Sequence, residues 1–395
     1  MDIQLANRVK RIKPSPTLAV SARAAELKAK GQDIVGLGAG EPDFDTPEHI
    51  KEAAIKALKD GKTKYTAVDG VLSLRQAISE KMKNFNQLNY QPNQIIVSTG
   101  GKQCIYNLLQ SIIQTNDEVI IPSPYWVSYP DMVLLADGKP VFIETTMEQR
   151  FKITAAQLEA AITPKTKLLF LNSPSNPTGM AYSKDELLAL SKVLLKHPHV
   201  FIATDDMYEH ILWTKEPFAN IVNVCPELYE RTIVLSGVSK AYSMTGWRIG
   251  YVCSPLNHLN DAMRNIQSQS TSNPCSIAQA AAEAALRGPL DFVHMMVAEF
   301  KKRHDYLVEN LNKIPGVQCL PGDGTFYTFP RVQDIIDKMP GINNDLELAD
   351  HLISTVGLAL VPGSAFGAQG FMRLSFATSM DVLSKAIERL NKALM

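Results

Sequence analysis

Residues 232–240 read TIVLSGVSK, a short apolar run that ends in glycine, valine, serine and lysine. The run is continuous rather than alternating, which is typical of a strand buried on both faces of a sheet. Six further runs between residues 94 and 255 share this pattern. They are QIIVSTG (94–100), DEVIIPSP (117–124), KPVFIET (139–145), KLLFLNSP (167–174), HVFIATDD (199–206) and RIGYVCSP (248–255).

Helical patterns lie between these runs, at about 101–115, 154–162, 183–196 and 257–286. Ser183 followed by Glu186 is a capping box, which marks the start of the third pattern. Strands that alternate with helices indicate βαβ units and a mostly parallel sheet. The sequence therefore predicts the α/β fold class, with a mostly parallel seven-stranded sheet.

The character of the sequence changes after about residue 290. A helical segment at about 290–313 precedes GTFYTFP, a helix near 345–356, GLALVPG, FMRLSFAT and a last helix at 379–394. This order predicts a smaller α+β domain, and a chain of 395 residues is long enough for two domains. We expect an N-terminal arm that forms part of the small domain (1–45), a large domain (46–290) and the remainder of the small domain (291–395).

The composition excludes several classes of protein. The chain has 40 Lys and Arg residues against 40 Asp and Glu residues, so its charge favours no polyanionic partner such as nucleic acid. No apolar run reaches the roughly 18 residues that a membrane span needs. The charged first residues precede no apolar core, so no secretory signal is expected. We expect a cytoplasmic protein.

Metal and disulfide chemistry are also disfavoured. The five cysteines are scattered without a CxxC motif, so we expect buried free thiols. His197 and His199 flank a proline before an apolar run, which is typical of a turn between a helix and a strand rather than of a metal site.

Side chains that follow the ends of parallel strands gather at one edge of a sheet. Taken singly, each residue at these positions has an ordinary interpretation, such as a turn, a solvated lysine or a core tryptophan. Together they would place an anion site, an aromatic ring, an amide, a carboxylate, a phenol, an amine and a guanidinium at one edge. The residues are Gly100, Gly101, Lys102, Trp126, Asn176, Asp205, Tyr208, Lys240 and Arg248.

The segment SGVSKAYSMTGWRIG (236–250) resembles the lysine signature of the class I, fold type I aminotransferases that use pyridoxal 5'-phosphate (PLP). The GGKQ, PYWVSYP and KPSPT blocks are similar to those of bacterial-type aspartate aminotransferases, some of which also use prephenate. The resemblance covers essentially the whole chain. Its other blocks, in the family's order along the chain, are GAGEPDFDTP (38–47), KYTAVDGVLSLR (64–75), STGGKQ (98–103), SPYWVSYP (123–130), SPSNPTG (173–179), TDDMYEH (204–210) and MRLSFA (372–377).

The resemblance implies catalytic roles for Lys240, Asp205 and Tyr208. Lys240 would bind PLP and then carry a proton between substrate and cofactor as general base and acid. Asp205 would keep the pyridine nitrogen of PLP protonated. Tyr208 and Asn176 would hydrogen-bond the phenolic oxygen of PLP, and Trp126 would stack on its ring.

The PLP phosphate carries about two negative charges and needs several donors. The resemblance implies that these come from the backbone of Gly100, Gly101 and Lys102, and from Ser239 and Arg248. Gly237 stands where some members of the family have a phosphate-binding serine, so Ser236 remains an alternative to Ser239. Tyr65 resembles the tyrosine that reaches the phosphate of a neighbouring subunit, which implies a homodimer with shared sites.

The resemblance also implies a site for a dicarboxylate. Arg373 would bind the substrate α-carboxylate in a two-pronged pair, assisted by the backbone of Gly40. Lys102 and Thr17 would bind the distal carboxylate, and Lys13 would add a contact to a bulkier substrate such as prephenate. Trp126 and Asn176 would also contact the substrate.

These residues together lead to one main hypothesis. It is ping-pong transamination between L-aspartate and 2-oxoglutarate through pyridoxamine phosphate, with conversion of prephenate to arogenate as a further reaction. The alternatives on the same fold are an aminotransferase for aromatic or other amino acids and a carbon–sulfur lyase, and the Lys102–Thr17 pair argues against a purely apolar substrate side chain.

Two further alternatives belong to other classes of protein. A PLP-binding module of a transcription regulator is disfavoured because no basic DNA-binding segment is present. A dehydrogenase is disfavoured because no GxGxxG follows the first strand.

Overall fold

The computed structural model describes residues 3–394 and contains two sheets and a short strand pair. The strands are β1 (Val35–Gly36), β2 (Ile95–Ser98), β3 (Glu118–Ser123), β4 (Lys139–Glu144), β5 (Thr166–Asn172), β6 (Phe201–Asp205), β7 (Thr232–Gly237), β8 (Gly250–Cys253), β9 (Tyr327–Thr328), β10 (Leu358–Ala359), β11 (Val361–Pro362) and β12 (Met372–Ser375).

Helices surround these strands. They are α1 (Asn7–Lys10), α2 (Pro16–Ala29), α3 (Glu48–Lys59), α4 (Leu72–Asn84), α5 (Gly101–Ile112), α6 (Ser128–Leu135), α7 (Ala155–Ala161), α8 (Lys184–Lys196), α9 (Ile221–Val224), α10 (Asn257–Ser268), α11 (Ser276–Arg287), α12 (Asp291–Leu311), α13 (Gln333–Ile336), α14 (Asp345–Val356) and α15 (Met380–Leu394). Among the described residues, no helix combines the length and apolar character that a membrane span requires.

The large sheet has seven strands in the order β2-β8-β7-β6-β5-β3-β4. Strand β8 is antiparallel to both of its neighbours, and the other six strands run in the same direction as one another. The predicted α/β class with a mostly parallel seven-stranded sheet is therefore confirmed. Each of the seven apolar runs quoted above overlaps one of these strands.

Burial on both faces explains why the strands are apolar throughout. In β5, Leu168 and Phe170 pack into a core with α5, α6 and α10. Leu169 and Leu171 point the other way, into a core with α3, α4, α8 and α11. Since alternate residues enter different cores, neither face of the strand can be polar.

The second sheet is small and antiparallel, in the order β11-β12-β9. Its core includes residues of α12, α14 and α15. Strand β1 pairs in parallel with β10, so the N-terminal stretch joins this C-terminal region, as the sequence predicts. The domain limits at residues 45 and 290 stay predictions.

Two local predictions are confirmed at α8. The Ser183 side chain accepts a hydrogen bond from the backbone N–H of Glu186, and the Glu186 side chain accepts one in return, which completes the capping box. His197 and His199 lie in the turn between α8 and β6, as expected.

Two local predictions are wrong. The single helix expected over 257–286 is two helices, α10 and α11, because Ser272 has a φ of 58° and Pro274 disfavours a helical conformation at the residue before it. Cys275, at the start of α11, is exposed, whereas the other four cysteines are buried as expected. The sequence patterns also assign no helix to α3, α4 or α6.

Candidate active site

A cavity of about 490 Å³ opens where β5, β6 and β7 end. The large sheet, α2, α5, the segment after β1 and the small sheet all contribute to its wall. Most of the residues predicted for the site line this one cavity. They are Thr17, Gly40, Gly101, Lys102, Trp126, Asn176, Asp205, Tyr208, Ser239, Lys240, Arg248 and Arg373.

Lys240 lies three residues beyond the end of β7. Its Nζ atom donates a hydrogen bond of 2.6 Å to the carbonyl oxygen of Gly40. Burial lowers the pKa of Lys240 to about 8, an effect that Glu41 opposes and Arg373 reinforces. A larger fraction of this amine is therefore neutral near physiological pH than for an ordinary lysine. The neutral amine is the form that attacks a carbonyl.

Asp205 is the last residue of β6 and lies at the base of the cavity. Its Oδ2 atom accepts a hydrogen bond of 2.5 Å from the Tyr129 hydroxyl, and its Oδ1 atom accepts one of 3.3 Å from the backbone N–H of Met207. Burial raises the pKa of Asp205, whereas these two donors and the charge of Lys240 lower it. Burial prevails, so the pKa of Asp205 lies above its ordinary value, and the two donors and Lys240 offset part of this shift.

Asp206 points away from the cavity. It accepts a hydrogen bond of 2.8 Å from the Asn220 amide, and burial holds its pKa well above the usual range. The two adjacent carboxyl groups thus have different surroundings, although they follow each other in the sequence.

Asn176 and Arg373 contact each other directly. The Arg373 Nη1 atom donates to the Asn176 side-chain oxygen at 3.0 Å, and Nη2 donates to the Gly38 carbonyl oxygen at 2.8 Å. Arg373 is 2% exposed, and its Nε atom has no hydrogen-bond partner within residues 3–394. A buried guanidinium with unused hydrogen-bonding capacity at a cavity wall fits a carboxylate ligand.

The start of α5 forms a cradle for an anion. Gly100 has a φ of 83°, and a Cβ atom there would overlap the Arg248 guanidinium. A Cβ atom at Gly101 would lie 2.6 Å from the Met207 Cε atom. Glycine at position 100 therefore lets Arg248 approach the N-terminus of a twelve-residue helix, where free N–H groups favour a phosphate, and glycine at position 101 leaves room for Met207.

The two candidate phosphate-binding serines differ in position. Ser239 lines the cavity. The Ser236 hydroxyl instead donates a hydrogen bond of 2.9 Å to buried Glu209. Ser239 is therefore the one of the two that is placed to contact a ligand.

Lys102, Trp126 and Thr17 lie at the cavity wall. The Lys102 Nζ atom lies 5.2 Å from the centroid of the Trp126 ring. Burial and the charge of Arg248 lower the pKa of Lys102. The Thr17 hydroxyl lies 2.9 Å from that of Ser15. A cation and a hydroxyl thus face the same space as Arg373.

Three predicted site residues do not line the cavity. Gly100 lies just behind it, beneath Arg248. Lys13 is exposed, and burial raises the pKa of nearby Asp131, an effect that Lys13 opposes. Tyr65 is 93% exposed. Its predicted role depends on a second subunit and stays a prediction.

The sequence interpretation missed several polar residues of the site, and the side chains of three of them hydrogen-bond to predicted residues. Tyr129 belongs to the SPYWVSYP block, but the chain by itself does not indicate that it bonds to Asp205. Asn172 ends β5; its amide donates to the Asp205 carbonyl oxygen at 2.9 Å and accepts from the Asn176 backbone at the same distance. Its position at the end of a strand is a sequence signal that could have identified it as a site residue. Tyr327, in GTFYTFP, lines the cavity opposite the large sheet.

The comparisons with known proteins agree with this geometry. Residues 32–390 match the family model described as aminotransferase class I and II, so the chain belongs to this family and is an aminotransferase. The predicted family is thereby confirmed.

Within this family, the chain is similar to two relatives and two solved structures of closely related names. The chain is 56% identical to an aspartate/prephenate aminotransferase of Nitrosomonas europaea, over 98% of this chain and 99% of the relative, and 51% identical to one of Cereibacter sphaeroides, over 98% and 97%. An aspartate aminotransferase structure from Rhizobium meliloti has a TM-score of 0.96 at 46% identity and covers 100% of this chain and 99% of its own. One from Thermus thermophilus with maleate has a TM-score of 0.94 at 43% identity and covers 100% of both chains.

Proposed function

We propose that this aminotransferase transfers the amino group of L-aspartate to 2-oxoglutarate, giving oxaloacetate and L-glutamate, with PLP as its cofactor and prephenate as a further acceptor. The observation that carries the proposal is the placement of Lys240, Asp205, Arg373 and Lys102 on the wall of one cavity. The names of the similar proteins support the choice of substrates.

The donor and acceptor groups of the cavity fit PLP. The Lys240 amine, with its lowered pKa, suits the aldehyde. The buried Asp205 carboxylate suits a protonated pyridine nitrogen, and the cradle of Gly101, Ser239 and Arg248 suits the phosphate. When bound, PLP supplies an electron sink that stabilises the negative charge at the substrate Cα atom.

Lys240 would hold the cofactor in the resting enzyme and later move the proton at the substrate Cα atom. Its Nζ atom lies 6.0 Å from the centroid of the Tyr208 ring and 5.9 Å from that of Phe326. Burial lowers the pKa of this amine, which favours its neutral form and therefore its action as a base.

Two cations would orient a dicarboxylate. Arg373, held by Asn176 and the Gly38 carbonyl, would bind the α-carboxylate. Lys102, with the hydroxyl of Thr17, would bind the distal carboxylate. A substrate held at both ends presents its Cα atom in a fixed direction, which is the main requirement for selective proton removal.

A single half-reaction tests this proposal. L-aspartate is added to the PLP-loaded protein while the visible spectrum and oxaloacetate are followed, with Lys240→Ala as the control. We expect the visible band of the lysine-bound cofactor to disappear as one oxaloacetate forms per active site, and the control to show no such band. Release of a thiol, pyruvate and ammonia from a cysteine S-conjugate such as cystathionine, with no reaction of aspartate, would instead favour a carbon–sulfur lyase. An intact band with aspartate would contradict aspartate as the substrate.

We also infer a homodimer in which Tyr65 of one subunit reaches the phosphate site of the other. Tyr65 is 93% exposed, and α2 and α4 expose further large apolar side chains, such as Leu18 at 68% and Leu72 at 55%. A surface of this kind is typical of an interface.

Mixed dimers test whether the sites are shared. A Lys240→Ala subunit keeps Tyr65, and a Tyr65→Ala subunit keeps Lys240. If the sites are shared, mixing the two variants restores one complete site per mixed dimer and thus activity above that of either variant alone. No gain on mixing, or an active monomer in sedimentation, would contradict the inference.

A further inference from the structure

Tyr327, in β9, forms a hydrogen bond with Tyr208 inside the active-site wall. The two hydroxyl oxygens lie 3.1 Å apart, and either could be the donor. Both side chains are buried, with exposures of 1% for Tyr327 and 5% for Tyr208. The rings meet edge to face, with centroids 6.0 Å apart and an interplanar angle of 74°. Tyr327 is thus a fixed neighbour of a residue that the proposed function places against the cofactor.

Tyr327 also contacts the groups assigned to the substrate. The Arg373 guanidinium carbon lies 4.4 Å from the centroid of the Tyr327 ring, and Phe366 provides a second ring at 4.9 Å. A Cβ atom at Gly40 would lie 3.2 Å from the Tyr327 hydroxyl. The Tyr327 ring therefore packs against Arg373, the cation proposed to bind the substrate α-carboxylate, while the Tyr327 hydroxyl bonds to Tyr208.

The number of hydrogens decides the direction of the Tyr208–Tyr327 bond. A neutral phenol carries a single hydrogen, so it donates only one hydrogen bond at a time. If Tyr208 donates to the phenolic oxygen of PLP, the bond between the two tyrosines must be donated by Tyr327. A hydroxyl that accepts a hydrogen bond is polarised and becomes a stronger donor itself.

We propose that Tyr327 is a positioning residue that donates to Tyr208, directs the Tyr208 hydroxyl toward the cavity, and holds Arg373 in place with its ring. The inference rests on the proposed function, because the acceptor in the cavity is the phenolic oxygen of PLP.

The charged groups around the pair are compatible with this arrangement. Burial raises the pKa of both phenols, so both keep their hydrogens at neutral pH. Arg373 faces both rings and favours ionisation of each, whereas Asp205 opposes ionisation of Tyr208 and Glu41 opposes that of Tyr327. Arg373, Asp205 and Glu41 also act on the charge of Lys240, as does Arg248.

The variant Tyr327→Phe removes the hydroxyl and keeps the ring. Tyr90→Phe is a matched control, because the Tyr90 side chain is also 1% exposed but its hydroxyl has no hydrogen-bond partner among the described residues. The first readout is an absorbance titration of the PLP-loaded resting enzyme against pH. The second is the binding of maleate, a dicarboxylate, and the third is the separation of kcat from KM for aspartate.

Loss of the Tyr327 donor weakens the Tyr208 hydrogen bond to the negatively charged cofactor oxygen. The protonated form of the lysine-bound cofactor then becomes more stable relative to the unprotonated form. The pKa read from the titration should therefore rise by roughly 0.5 to 1, a shift that corresponds to one ordinary hydrogen bond. We expect kcat to fall about fivefold to tenfold. KM and the maleate Kd should stay within about twofold, because the ring remains beneath Arg373. Tyr90→Phe should leave all of these values unchanged.

The second variant, Tyr327→Leu, removes the ring as well and should weaken maleate binding by roughly tenfold. An unchanged titration in Tyr327→Phe, or an equal change in Tyr90→Phe, would overturn the inference while leaving the proposed function intact. A wild-type enzyme without the visible band or without conversion of aspartate would instead remove the proposed function, and the inference with it.

Discussion

The Lys240 amine donates its 2.6 Å hydrogen bond to the carbonyl oxygen of Gly40 across the cavity. Lys240 follows a strand of the large sheet, and Gly40 follows β1, which pairs with a strand of the C-terminal region. The reactive amine is therefore held between two separately packed parts of the chain. Glu41, the next residue along, is the carboxylate with the largest opposing effect on the pKa of the amine.

The first prediction concerns how fast PLP attaches to the cofactor-free protein at different pH values. The neutral amine is the reactive form, so the rate should rise with pH and reach half its maximum near pH 8, where burial places the pKa of Lys240. Glu41→Gln removes a charge that raises this pKa, so its midpoint should fall. Stopped-flow absorbance measures the rate.

Glu48→Gln is the control for that change, since Glu48 is an exposed residue paired with Lys51 outside the cavity. Its midpoint should equal that of the wild type. A wild-type midpoint close to 10.5, the ordinary pKa of lysine, would show that the amine is not desolvated.

The second prediction compares two adjacent carboxyl groups. Asp205→Asn removes the charge that faces the cavity and should lower kcat by about 10²–10³-fold, as the loss of one electrostatic partner commonly does. Asp206→Asn should keep kcat within about threefold, because Asp206 bonds to Asn220 outside the cavity and burial already favours its neutral form. Steady-state kinetics at saturating PLP separate the two. Equal losses would mean that the cavity does not distinguish these carboxyl groups.

The third prediction concerns the distal carboxylate of the substrate. Lys102→Ala should raise KM for aspartate by roughly 10- to 100-fold, since a hydrogen bond to a charged group contributes about 1.5–3 kcal/mol. The backbone N–H of residue 102 is kept, so PLP affinity should change little. KM for amino acids without a distal carboxylate should not rise.

Lys13→Ala provides the comparison, because Lys13 is exposed and does not line the cavity. We expect its KM for aspartate to stay within about twofold of the wild type, while its KM for prephenate tests the contact predicted for the bulkier substrate. If Lys13→Ala weakens aspartate as much as Lys102→Ala does, the assignment of the distal site is wrong.

Local signals in the sequence predict those parts of the fold that depend on them. The strands could be located because Leu168 to Leu171 are buried on alternate sides, which leaves a continuous apolar run. Asp205 and Lys240 could be located because they follow such runs. The break between α10 and α11 also had a local signal, Pro274, which the helical pattern on both sides obscured.

Contacts between distant residues could not be predicted in this way. Tyr129 lies 76 residues before Asp205, and Tyr327 lies 119 residues after Tyr208. Nothing in the spacing of these pairs distinguishes a hydroxyl that reaches the cavity from one in the core. Arg373 was found only through the resemblance, because its partner Asn176 lies 197 residues away.

The fourth prediction concerns a buried ion pair behind the site. Lys81 and Glu209 form a salt bridge with side-chain exposures of 6% and 3%, and Glu209 also accepts hydrogen bonds from Asn86 at 2.6 Å and from Ser236 at 2.9 Å. Glu209 follows Tyr208, and Ser236 lies in the strand that leads to Lys240. The pair therefore joins α4 to two segments that carry proposed catalytic residues.

Lys81→Met leaves the Glu209 charge buried without its cation, so the free energy of unfolding should fall by about 3–5 kcal/mol. Adding Glu209→Gln removes that charge and keeps an acceptor for Asn86, so the double variant should recover most of the loss. Lys313→Met, in an exposed pair with Glu309, should cost less than about 1 kcal/mol. Urea unfolding at one protein and PLP concentration measures all three, since ligand and subunit binding both shift the apparent stability.

The pH dependence of that loss gives an independent check. The interaction with Lys81 helps to hold the pKa of Glu209 below its ordinary value of 4.5 in the folded protein. A lowered carboxyl pKa stabilises the fold above the unfolded pKa, and this contribution disappears as the pH falls through the folded value. The advantage of the wild type over Lys81→Met should therefore be full at neutral pH and shrink below pH 4.5. A difference that stays constant down to pH 3 would mean that packing of the Lys81 side chain, rather than its charge, stabilises this region.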